Sequence, residues 1–128
     1  MSTRIVIEPP PMTPAELPGI SHATWMSHDE TGLKLSVWRQ SLAPGAMTPP
    51  HVHDCDEVVL CLAGAGEVTV DDRVERFGAG ATVALPRGQL HQLRNVGSTP
   101  LEVIAAFGDS PVATRWPDGS ALDVPWRT

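Results

Sequence analysis

Residues 45–64 read GAMTPPHVHDCDEVVLCLAG, and positions 51–57 within them hold two histidines, two aspartates, a cysteine and a glutamate. Taken as extended chain, His51 and His53 project to one face, because side chains alternate along a strand. Asp54-Cys55-Asp56 reads as a turn whose aspartates are solvated, with Cys55 more exposed than Cys61. Glu57 then opens a return strand beside the histidines. If Glu57 points inward, so do Val59 and Cys61, while Val58, Leu60 and Leu62 need cover from a second sheet or another subunit.

Further strands are expected on either side, each closed by a turn signal. LKLSVWRQSL (33–42) ends at Pro44-Gly45 and Met47 to His53 follows; EVVLCL (57–62) ends at the Ala/Gly run 63–66. EVTV (67–70) turns at Asp71-Asp72 into RVERF (73–77), and ATVAL (81–85), HQLRN (91–95) and LEVIAAF (101–107) come after. With thirteen prolines, eleven glycines and a single lysine, Lys34, this is the pattern of an all-β sandwich or barrel rather than a βαβ fold. One domain over 1–128 is expected, with its core at about 33–107. A proline-rich segment precedes that core over 1–20, where Ile5-Val6-Ile7 could pair as a short strand, at home or on a neighbouring subunit. An irregular tail follows over 108–128, with Trp116 and Trp126 as anchors.

A net charge of −6 with scattered arginines argues against nucleic acid or an anionic membrane as partner. RIVIEPPP (4–11) is too short and too rich in proline for a signal-peptide core, and no apolar run reaches the length of a membrane span. The cytoplasm is therefore the expected compartment, and two cysteines there are read as free thiols.

A second run completes the first. Residues 80–95 read GATVALPRGQLHQLRN, and His91 opens a strand whose inner face carries Leu93 and Asn95. Three imidazoles and one carboxylate, from His51, His53, His91 and Glu57, form an N₃O set suited to one divalent transition metal: Fe, Mn, Co, Ni or Zn. Taken singly, each histidine has an ordinary reading as a satisfied polar residue, and His22 and His28, outside these runs, are read that way. The framing residues alter the weighing. Gly45-x5-His51-x-His53-x3-Glu57-x6-Gly64 and Gly80-x5-Pro86-x-Gly88-x2-His91-x3-Asn95 resemble the two signature motifs of the cupin superfamily at every fixed position. Ten residues of ~5% usage would coincide at a given register with a chance on the order of 10⁻¹³. The short inter-motif spacing is similar to that of small single-domain bacterial cupins.

The resemblance implies a small cupin-type β-barrel, a double-stranded β-helix or jelly roll, with His51, His53, Glu57 and His91 as metal ligands at its mouth. Gly45, Gly64, Gly80 and Gly88 are expected at turns with positive φ. Asn95 is expected to satisfy a turn rather than bind metal. The fold does not name a reaction. Trp38, Gln40, Met47, Val59, Cys61, Leu93 and Phe107 are the expected pocket, with Arg39 as a second polar possibility. Such a mostly apolar pocket, lacking the Arg/Lys cluster a phosphorylated sugar would need, suits a small substrate that is aromatic or β-dicarbonyl-like and chelates through oxygen. A metal-dependent dioxygenase is the first expectation, with Glu57 as ligand and proton acceptor. A redox-neutral isomerase, cyclase, decarboxylase or lyase using the metal as Lewis acid is the second, and a non-catalytic small-molecule-binding protein the third. A homodimer is expected from the exposed apolar strand positions.

Overall fold

The computed structural model describes residues 3–128. Its strands are β1 (Thr13–Pro14), β2 (Ile20–Met26), β3 (Ser36–Leu42), β4 (Val52–His53), β5 (Glu57–Ala63), β6 (Ala65–Val70), β7 (Arg73–Gly78), β8 (Thr82–Leu85), β9 (His91–Asn95), β10 (Leu101–Phe107) and β11 (Thr114–Arg115). A single turn of helix, α1 (His28–Thr31), lies between β2 and β3.

Two antiparallel layers form a jelly roll. One is a six-stranded sheet in the order β1-β2-β3-β10-β5-β8. The other is built from β7-β6-β9, and the segment before β4 extends it along β9. That extension is made by main-chain bonds, with Thr48 N donating to Leu93 O at 2.9 Å and His51 and His91 exchanging bonds at 3.0 and 2.9 Å. β11 then pairs with β4.

Strand periodicity decides which side chains enter the space between the layers. β3 and β10 alternate strictly between buried and partly exposed, so Trp38, Gln40 and Leu42 face inward with Val103, Ala105 and Phe107. β5 does the same, burying Glu57, Val59 and Cys61 and leaving Val58, Leu60 and Leu62 39, 40 and 49% exposed. Each fully buried Leu or Phe contributes at most ~1.5–3 kcal/mol through its apolar area. Gly64 turns β5 into β6 at φ 93°, and a Cβ there would sit 2.6 Å from Pro100 O, so both backbone conformation and space demand glycine. Gly45, Gly80 and Gly88 also have positive φ, as expected.

Several expectations need correction. Ile5-Val6-Ile7 forms no strand; Ile5 is 97% exposed, and the pairing near the N-terminus falls instead at Thr13–Pro14, against Ser21–His22. Prolines 9–11 remove three donors just beyond the isoleucines, and Arg4 N bonds Glu30 O instead. β2 was not foreseen, because Ser, His and Ala interrupt its β-formers. α1 carries a legible signal, the S-x-x-E of Ser27 and Glu30, and the capping box forms, with Ser27 N donating to Glu30 Oε2 at 2.8 Å. The tail is not wholly irregular, since it contains β11. Its anchor is Trp126, whereas Trp116 is 39% exposed. Cys55 is buried rather than open.

Candidate metal centre

The two layers contribute different halves of the centre. Glu57 comes from the six-stranded sheet, flanked by Phe107 on β10 and Leu85 on β8. His51, His53 and His91 come from the opposing layer, where His51 bridges His91 and β4 follows directly. The turn between His53 and Glu57 is tied to the second motif, because Gly88 N donates to His53 O at 3.0 Å and Arg87 N to Asp56 Oδ1 at 2.9 Å. Asp54 likewise acts as a tether, its carboxylate receiving Arg115 Nη2 at 2.9 Å, which holds it below the usual carboxylate range.

Ring orientation follows from the other imidazole nitrogen. His51 Nδ1 lies 2.6 Å from Pro49 O, and His91 Nδ1 lies 3.1 Å from Gln89 O. His53 Nδ1 lies 3.3 Å from Ala113 O and 3.1 Å from Thr114 Oγ1. A carbonyl only accepts, so each Nδ1 carries the proton and each Nε2 presents a bare lone pair. Burial, reinforced by the neighbouring imidazoles, pushes both His51 and His53 down to about 4, so both are neutral near pH 7.

These lone pairs meet another acceptor. Glu57 Oε1 lies 3.5 Å from His53 Nε2 and 3.3 Å from His91 Nε2, and neither Glu57 Oε1 nor His91 Nε2 has a hydrogen-bond partner. The ligand atoms of His51, His53 and His91 lie within 4.8 Å of one another. Buried acceptors converging without a donor are costly unless a cation sits among them, and the donor set of three imidazole nitrogens and one carboxylate fits a divalent transition metal.

The family model for the cupin domain matches residues 38–107. The chain belongs to the cupin family. Auxin-binding protein 1 of Arabidopsis thaliana is 31% identical over 105 residues, covering 74% of this chain and 53% of its own length. The cupin thus spans about half of that curated relative. A relative from a plant lends no support to a bacterial character read from the short inter-motif spacing. Among solved structures, an oxalate oxidase superposes with a TM-score of 0.71 at 24% identity, over 82% of this chain and 59% of that one. The oxalate decarboxylase of Lactobacillus farciminis, in its formate complex, gives 0.73 at 19% over 88% and 34%. At these identities the likeness shows the fold.

The cupin's cavity opens from the three histidines and Glu57. Its volume is about 80 Å³, enough for a few waters or one small organic molecule. Trp38, Gln40, Leu93 and Phe107 line it. Met47, Val59 and Cys61 do not. Val59 and Cys61 do face inward, but they are sealed in the core at 0 and 3% exposure. Met47 pairs with Arg94 and is 46% exposed, on the face opposite the buried Thr48. Arg39 is also turned outward, onto Glu102 at 2.6 Å.

The sequence reading missed the lid. Leu122, Val124 and Trp126 complete the cavity wall, alternating with exposed residues as an extended segment does when laid on an apolar surface. That period of two was the available signal. A buried chain of hydrogen bonds holds the segment down. Thr24 Oγ1 donates to Arg127 O at 2.6 Å, so it accepts from His22 Nε2 at 2.8 Å, and His22 Nδ1 accepts from Gln40 Nε2 at 3.0 Å. His22 also stacks on Trp126, with centroids 4.1 Å apart. Burial pushes His22 down to about 4, which keeps this neutral tautomer in place. His22 is therefore a structural residue, as expected, and His28 opens α1.

Proposed function

We propose that this cupin is a metal-dependent dioxygenase acting on a small, largely apolar substrate that chelates through oxygen atoms, with His51, His53, His91 and Glu57 as the metal ligands. The observation that carries the reading is the unpartnered meeting of Glu57 Oε1 with imidazole Nε2 lone pairs at the end of an apolar cavity. Among the described residues, no lysine or arginine lines that cavity, which disfavours phosphorylated substrates. A bound Fe, Mn, Co, Ni or Zn ion supplies a Lewis-acidic centre with open positions, and Fe or Mn adds redox capacity. The chain's own residues do the rest. Backbone carbonyls lock the imidazoles, Trp38 and Phe107 exclude water, and Glu57 is, among the described residues, the one buried carboxylate placed to accept a substrate proton. A second buried acid–base group, which isomerisation or lyase chemistry would use, is lacking in the wall among the described residues; Asp123 stands exposed at the rim.

Among the described residues no helix is long and apolar enough to cross a membrane, and the proposal keeps the cytoplasm as the working compartment, supported by two free thiols. It also keeps a homodimer, supported by the exposed Val58, Leu60 and Leu62 row; a monomeric mass by light scattering at micromolar concentration would remove that part.

The test is metal analysis of the purified protein combined with O₂ uptake on a panel of chelating phenols and β-diketones. Consumption of O₂ with product supports the reading, and His53→Ala should abolish metal binding and turnover together. Equal turnover under argon refutes the oxygenase and assigns redox-neutral chemistry, while tight ligand binding without turnover assigns a binding protein.

A further inference from the structure

Two of the three imidazoles are oriented from within their own motif; the third is not. His51 Nδ1 and His91 Nδ1 each face the carbonyl two residues upstream, on Pro49 and Gln89. His53 Nδ1 instead faces Ala113 O at 3.3 Å and Thr114 Oγ1 at 3.1 Å, both from the chain beyond β10. Ala113 O also receives Asp54 N, at 3.4 Å. The hydroxyl lies within the ordinary range for an N–H···O bond and the carbonyl just outside it, so Thr114 Oγ1 is the nearer acceptor for the His53 proton. Thr114 is 7% exposed, and among the described residues its hydroxyl has no other partner in the protein.

The main chain of the same residue holds the segment that closes the cavity. Thr114 pairs with His53 between β4 and β11, and Thr114 O accepts from Leu122 N at 2.9 Å. Between Thr114 and Leu122 the chain turns back on itself: Arg115 bridges Ala121, and Trp116 N donates to Ser120 O at 2.8 Å. Leu122 is the first of the three residues, with Val124 and Trp126, that complete the cavity wall. Thr114 therefore meets a metal ligand through its side chain and the closing segment through its carbonyl.

Without a metal, the His53 proton has a second place to go. Glu57 Oε1 is 3.5 Å from Nε2, and a proton moved to Nε2 faces that carboxylate and gives up the Thr114 bond. A cation on Nε2 removes this alternative, because a ligating nitrogen carries no proton. We propose that Thr114 is a positioning residue that couples metal binding at His53 to closure of the cavity by residues 122–126. A metal on Nε2 fixes the proton on Nδ1, the Nδ1–H···Oγ1 bond fixes Thr114, and Thr114 O fixes Leu122. Coupling is reciprocal, so whatever loosens the segment also weakens the metal. The inference rests on the metal site proposed above.

The experiment uses the full chain, with zinc as the probe. Zinc is titrated into the wild-type protein first. If none binds, the metal reading fails and this inference falls with it; if it binds, the remaining measurements test the coupling alone. Thr114→Val keeps the shape and removes the acceptor, so it should weaken zinc by at least about tenfold, as for other outer partners of ligating histidines. Thr114→Ser should restore the affinity. Ring-nitrogen spectra of metal-free protein labelled with ¹⁵N-histidine should show His53 gaining the Nε2–H form in Thr114→Val, with His51 and His91 unchanged. A merely structural role for Thr114 would leave all three alike. Hydrogen exchange reads the other end of the chain of contacts. The Leu122 amide is bonded to a carbonyl that the substitution leaves in place. Zinc should slow its exchange, beyond any slowing of the β10 amides, by at least about fivefold in the wild type and not in Thr114→Val. Equal zinc affinity in wild type and Thr114→Val, or wild-type Leu122 exchange indifferent to zinc, overturns the proposal. The exchange result decides even if Thr114→Val folds poorly.

Discussion

Replacing Glu57 by glutamine separates the two things its carboxylate does. Without metal, Oε1 faces the lone pairs of His53 and His91 Nε2 at 3.5 and 3.3 Å and has no donor. A glutamine amide in that place offers two N–H groups to the same two nitrogens. One or two net hydrogen bonds of ~1 kcal/mol each make the metal-free variant more stable than wild type by about 1–2 kcal/mol. With an unfolding entropy of ~2.1 cal/mol/K per residue, 1 kcal/mol corresponds to about 4 °C in a chain of 128 residues. The metal-free Glu57→Gln protein should therefore melt about 4–8 °C above metal-free wild type.

Metal reverses the order. A ligand present at 100 times its Kd stabilises by about 2.7 kcal/mol, so zinc should raise the wild-type Tm by about 10 °C. The glutamine variant loses the anionic ligand and would have to break its new amide bonds to bind, so zinc should move its Tm little. The assay is a pair of thermal melts followed by circular dichroism, in chelator and in excess zinc. A variant less stable than wild type in chelator would show that Glu57 already has a satisfying partner. An equal zinc response in both proteins would refute its place among the ligands.

Three further outcomes follow from single residues. His22 is held neutral by burial, with its folded value near 4 against 6.5 unfolded, so the unfolded chain binds the extra proton between those limits. Its contribution is complete above pH 6.5 and is lost as pH falls towards 4, and His22→Gln should flatten urea-derived stability against pH by up to about 1.4 kcal/mol per pH unit in that window; an unchanged slope refutes it. Asn95→Ala removes three bonds, Nδ2 to Leu42 O and Thr99 O and Oδ1 from Gly97 N. Each orphaned group costs ~1–3 kcal/mol, so a loss of at least about 3 kcal/mol in denaturant unfolding is expected, with a loss under about 1 kcal/mol as the contrary result. Cys55 and Cys61 are buried, and burial raises both thiols, Cys55 to about 11. A thiol reagent at pH 8 should label them slowly in the native protein and rapidly in urea, and fast native labelling would place Cys55 at the surface after all.

The parts of this molecule legible in the sequence are those whose rule is local. β9 and β10 run over His91–Asn95 and Leu101–Phe107, the bounds expected from alternation between turn signals. The shared face of His51 and His53 was legible from spacing along extended chain, whereas their grouping with Glu57 and His91 was what the resemblance to the cupin motifs implied. What escaped was set by the partner rather than by the segment. β2 is a strand because β3 offers it an edge, and Ile5–Ile7 is not one because no edge reaches it. Met47 was misplaced because the chain bends at Pro50, so that Thr48 rather than Met47 faces inward ahead of His51 and His53, and Val59 and Cys61 because inward-facing and cavity-lining are different conditions. Alternation reports the first, while the second depends on which neighbours fill the space.

The C-terminal segment shows how far that distinction reaches. Trp126 has no local reason to close a cavity at the opposite end of the sequence from β2. It does so because His22, Gln40 and Thr24 pass a hydrogen-bond chain to Arg127 O, with the His22 ring stacked beneath the indole. The wall it completes ends on two buried acceptors without donors, Glu57 Oε1 and His91 Nε2. A cation among them satisfies both at once, so the acceptor end of the cavity argues for a metal even though its walls come from segments that periodicity treats as unrelated.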